Sequence, residues 1–128
     1  MLKQTFHKFH DLEAAAAREK GPFDLFALFL RHDTLAVWEV VVSAPWLSAD
    51  ETGGLRYLTK KLQEKLTPEE LLSIAGVVIL DEHNPVVKSV RSAVAVEHGG
   101  CELVDCAFNG MPIRRAYVIT SRRKTRVA

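Results

Sequence analysis

A chain of 128 residues that is 48% hydrophobic and 26% charged has room for one domain with a real core and none for a second. Seventeen basic against sixteen acidic residues give a formal charge of +1, but the last 22 residues hold six basic groups and no acid, which leaves the first 106 near −5. The start has no apolar run of signal-peptide length, and Phe23 to Leu47 is broken by Asp24, Arg31, His32, Asp33 and Glu39. A membrane-spanning helix, which needs roughly 20 uninterrupted apolar residues, is therefore excluded, and a cytoplasmic protein with no membrane partner is expected. Two cysteines without an export signal fit a reducing compartment.

Leu2, Phe6, Phe9, Leu12 and Ala16 recur at helical spacing and predict an amphipathic helix that Gly21-Pro22 stops, with His7 and His10 on its opposite side. The segments FDLFALFL and LAVWEVVVSA, rich in aromatic and β-branched residues around RHDT, predict a hairpin whose strands are covered on both faces. Ser48 and Glu51 form a capping-box pattern before Leu55, Leu58, Leu62 and Leu66. Thr67-Pro68-Glu69-Glu70 caps a short second helix, and Gly76 is read as its end. Val77 to Leu80 has no polar face and is read as a buried central strand. Asn84-Pro85 caps a helix with Val87, Val90 and Val94 on one face, which Gly99-Gly100 ends.

Asn109-Gly110 predicts a final two-residue hairpin that pairs Phe108 with Met111, Cys106 with Ile113, Asp105 with Arg114 and Glu102 with Tyr117. Pro112 lacks a donor on the side away from its hairpin partner, so the last strand is read as an edge. The element order indicates an α/β or α+β domain over residues 1–120, a mixed sheet of about five strands flanked by three to four helices, and a basic tail from 121 to 128.

Cys101 and Cys106 lie five residues apart on one strand, so period-two alternation places them on opposite faces, about 16 Å apart, too far for a disulfide or a shared metal. Asp81, His83 and Asn84 follow an apolar strand, where open sheets place ligands, and are candidate ligand-binding residues. Glu39 is a carboxylate among apolar neighbours. If the first hairpin turns through His32-Asp33, Glu39 faces Phe26 with Asp24 one diagonal step away, and the two carboxylates are catalytic candidates able to hold a divalent cation.

Over residues 5 to 43 the succession of a helix, an acid at a strand start and an acid in the next strand resembles the PD-(D/E)xK nuclease superfamily, whose motif maps onto Asp24 and Glu39. Val41 stands where that motif has its catalytic lysine. The resemblance therefore implies a divergent divalent-metal nuclease-like protein only as an alternative. Arg122, Arg123, Lys124 and Arg126 in the tail could hold phosphates by charge, a weak nucleic-acid contact that stands beside the plain reading of the segment as a solvated basic end. The leading expectation is a non-catalytic interaction or ligand-binding module, without a cofactor or a bound metal, whose protein or small-molecule partner the sequence does not name. Pro45-Trp46-Leu47 or the edge near Pro112 could support a homo-oligomer.

Overall fold

The computed structural model of the chain describes residues 3–32 and 37–122. Helix α1 (Lys3–Lys20) stops at Gly21, which takes φ 130° and lies so close to the Trp46 ring that a Cβ would sit 3.2 Å from it. Strands β1 (Leu25–Arg31) and β2 (Trp38–Ser43) follow, then a helical turn, α2 (Pro45–Ala49), that carries Trp46 inward. There the Trp46 indole donates to the Gly21 carbonyl at 2.9 Å and its ring packs edge-on to Phe23 and Tyr57. Helix α3 (Glu51–Lys65) is capped by Asp50, whose carboxylate accepts from Gly53 N, and not by Ser48, which α2 already contains.

The second cap is the one its residues predict: in α4 (Pro68–Leu71), Thr67 and Glu70 bond each other's backbone reciprocally. The short helix ends at Leu71, well before Gly76, which lies inside strand β3 (Ile74–Ile79). Helix α5 (Pro85–Ala93) has Asn84 as its cap and stops at Val94, several residues before Gly99-Gly100. Strands β4 (Cys101–Phe108) and β5 (Met111–Ser121) form the terminal hairpin, with Asn109 and Gly110 at φ 52° and 80° as its turn requires. Ser121, read as the first residue of the tail, is buried at the end of β5.

Among the described residues five strands make one mixed sheet in the order β3-β2-β1-β5-β4, in which only the β2–β3 pair is parallel, so the fold is α+β. One face carries α1, α2 and α3 over Phe26, Leu28, Val40, Val42 and Ile119. The other is covered by α5, whose Val87 and Val90 meet Leu25, Ala27, Ile113 and Val118. Among the described residues no helix is long and apolar enough to cross a membrane.

Further expectations change with the sheet order. The apolar β3 is an edge strand, not a central one, because the parallel crossover through α3 and α4 returns it outside β2. Conversely, β5 lies inside the sheet between β1 and β4. Pro112 is tolerated because β1 ends at Arg31 opposite Ile113, one residue short of the missing donor. The hairpin keeps the expected register but skips Asp105 and Arg114. Asp105 takes φ 49° and its carboxylate lies 3.3 Å from His32 Nε2. That kink resets the alternation, so Cys101, Leu103 and Cys106 all pack against the α5-side core, and both cysteines are free thiols on one face.

Candidate ligand-binding site

The residues singled out in the sequence do not converge. Glu39 pairs with Phe29, not Phe26, a slip of three residues, and an odd slip turns a side chain to the other face of the sheet. Glu39 is the second residue of β2, whereas the Asp24 amide bonds the carbonyl of Ser43 at the far end of that strand. The two carboxylates therefore share neither a face nor an end. Glu39 instead lies 3.5 Å from Arg31 Nη1.

Asp81 accepts from the His83 amide at 2.8 Å, and His83 Nε2 lies 3.4 Å from Glu82, so both belong to an exposed turn. Asn84 caps α5 through Val86 N at 2.9 Å. Glu39 and Asn84 do meet at a small apolar hollow of about 120 Å³, floored by Phe29 and Val41 and walled by Val78, Leu80 and Met111. Arg122 is held 3.3 Å from Glu97, and its amide bonds the Asp24 carbonyl. Arg123, Lys124 and Arg126 lie outside the described residues.

A larger site forms where α1 leaves the β4–β5 end of its face uncovered. The cleft there has a volume of about 440 Å³ and is lined by Lys3, Phe6, His7 and His10 of α1 and by Glu102, Arg115 and Tyr117 of the hairpin. Glu102 and Tyr117 are cross-strand partners, which places their side chains on one face beside Arg115. On α1, Lys3, Phe6, His7 and His10 are helical neighbours that line the other wall, so the two histidines stand beside the apolar stripe and not opposite it.

Phe6 stacks on Tyr117 with ring centroids 4.5 Å apart, and the Tyr117 hydroxyl meets His10 Nε2 at 2.9 Å. Burial foremost, then the neighbouring His7, lowers the His10 pKa, with Glu13 and Asp11 opposing, so the imidazole at the base of the cleft is neutral near pH 7. Gly100 packs against the Tyr117–His10 pair, where a Cβ would sit 2.5 Å from the Tyr117 hydroxyl. The free volume is bordered by Lys3 and Arg115 as cations. Among the described residues that line it the one carboxylate, Glu102, is 3.6 Å from Arg115.

Next along α1 is a buried polar cluster. Glu13 is fully buried; its carboxylate accepts from Thr120 Oγ1 at 3.1 Å and lies 2.5 Å from His98 Nδ1. The Thr120 hydroxyl also accepts from the His98 amide. Sequence reasoning passed over Glu13, yet a signal was present, since it falls four residues after Phe9 and three before Ala16, inside the apolar stripe. The cleft itself had no such signal, because its two walls are about a hundred residues apart in the chain. Among the described residues no three His, Cys, Asp or Glu side chains are grouped as a metal site requires. No protein family, curated protein or solved structure matches this chain.

Proposed function

We propose that the protein is a non-catalytic binding module whose ligand carries an anionic group, seated in the cleft between α1 and the β4–β5 hairpin. The observation that carries this reading is the convergence of Lys3, His7 and Arg115 on a concave site floored by the Tyr117–His10 pair. Its volume falls within the roughly 300–1,000 Å³ of small-molecule sites, and its aromatic wall with a few polar groups has their usual character. Two cations at the rim draw an anion in, and the phenol and neutral imidazole can fix its orientation by hydrogen bonds. Binding is favoured over catalysis because no serine, threonine or cysteine stands beside His10 as a nucleophile among the described residues that line the cleft.

The test is a titration with inorganic phosphate and with a mononucleotide, followed by NMR of the His10 and Tyr117 rings and the Arg115 guanidinium. Saturable shifts are expected. Arg115→Ala and Lys3→Ala should each weaken binding about five- to tenfold, in keeping with loss of one charge-assisted contact. Both residues are exposed, so thermal stability should not change. If the three groups stay unperturbed up to millimolar anion, the reading fails.

A further inference from the structure

The two margins of the sheet are built differently. At one end β4 carries Glu102 and the left-handed Asp105, and it alternates between half-buried and exposed positions, which are devices that discourage further pairing. At the other end β3 is interrupted once, by a bulge at Ala75 against β2 with Gly76 at φ 158°, and beyond it carries neither a charge nor a left-handed residue. From Ile74 to Leu80, the residue after the strand, there is no charge and no proline, and Val77, Val78, Ile79 and Leu80 are apolar on both faces and only half-buried. Val77 and Ile79 continue the core under α1 and α3, while Val78 and Leu80 continue the one under α5. A strand apolar on both faces has the composition of a sheet interior, with a neighbour on each side. Among the described residues β3 has one neighbour, β2, and no backbone hydrogen bond joins Ile74–Ile79 to anything else.

We infer that the free edge of β3 is a docking site for an extended segment of another protein, apolar over about six residues and flanked by basic ones, which adds a sixth strand to the sheet. The outward backbone groups of β3 call for a strand as the occupant, since only an extended backbone meets a row of alternating donors and acceptors. The flanks follow from charge. Exposed Glu69 precedes the strand, and Asp81 and Glu82 follow it. A second copy pairing antiparallel through the same edge would set Glu69 of each chain near the acids after β3 of the other, a repulsion that Lys or Arg flanks turn into attraction. This surface is distinct from the cleft.

The probe is a fluorescent synthetic peptide of seven alternating valines and threonines with Lys-Arg at each end, measured by anisotropy against the full chain. Saturable binding is expected, together with new hydrogen-exchange protection at those β3 amides that do not bond to β2. A peptide with Glu-Glu ends should bind at least about tenfold more weakly, and so should one N-methylated at alternate residues, which removes its ladder donors. Ala75→Lys, a change at an exposed position of β3, should weaken binding to the same degree without altering the melting temperature. Absence of binding with β3 exchange unchanged would overturn the inference. So would a homodimer that Ala75→Lys dissolves, because the occupant would then be a second copy. Binding lost in Arg115→Ala but kept in Ala75→Lys would assign the peptide to the cleft and equally overturn it.

Discussion

Replacing Glu13 tests whether the buried polar cluster holds α1 onto the sheet. Its carboxylate is fully buried and has two partners, His98 Nδ1 at 2.5 Å and Thr120 Oγ1 at 3.1 Å. Hydrogen bonds to a charged group contribute about 1.5–3 kcal/mol each, so losing both would remove about 3–6 kcal/mol. Deleting the carboxylate also removes its own desolvation penalty, and His98, whose side chain is 55% exposed, can turn to water. Thr120, 1% exposed, cannot. The net expectation for Glu13→Ala is a destabilisation of about 2–4 kcal/mol, a large share of the roughly 5–15 kcal/mol available to a domain. Glu13→Gln keeps the shape and one acceptor oxygen and should lose about 1–2 kcal/mol. Urea unfolding at pH 7 reads both values. Combining Glu13→Gln with His98→Asn, a residue that tolerates the φ of 49° at this position, should show coupling of at least about 1 kcal/mol. Glu13→Ala within about 0.5 kcal/mol of wild type, a shift no larger than an ordinary surface substitution gives, would refute the reasoning.

Two further outcomes follow from charged groups. Glu70 is held down to about pKa 2 by hydrogen bonds from Lys8 and Thr5 and from the Thr67 backbone. A depressed carboxylate stabilises the fold fully above its ordinary value near 4.5 and loses that contribution as pH falls towards 2. Glu70→Gln should therefore lower stability at pH 6 by about 1–2 kcal/mol, discounted for water around the partly exposed Lys8, and by little at pH 2. Melting curves from pH 2 to 6 check this, and an equal loss at both ends would contradict it. For the tail, Arg122 is already paired with Glu97, so Arg123, Lys124 and Arg126 are the cations left for phosphates. Binding of a generic DNA duplex should be weak and indifferent to sequence, with a log-log salt slope of about −3, and removal of residues 123–128 should abolish it. Sequence-selective binding that survives truncation would place nucleic-acid recognition elsewhere.

Sequence alone determined those features whose causes lie within a few residues. The apolar stripe of α1, the Thr67–Glu70 capping box, the Asn84 cap and the Asn109-Gly110 turn are all where their local chemistry requires. A mixed five-stranded sheet with helices on it was legible for the same reason, since each element carries its own period.

What the tertiary structure decided is which elements are neighbours. Apolar composition reports that β3 is shielded on both faces but not how many strands flank it, so an edge was read as a centre. The register of β1 on β2 depends on where the chain between them turns, and three residues of slip separated Asp24 from Glu39. The left-handed Asp105 put both cysteines on one face, and a strand period assumed to be unbroken could not foresee it. His10 and Tyr117 meet because β5 runs inside the sheet, between β1 and β4, beneath α1, a long-range packing choice that spacing along the chain does not encode.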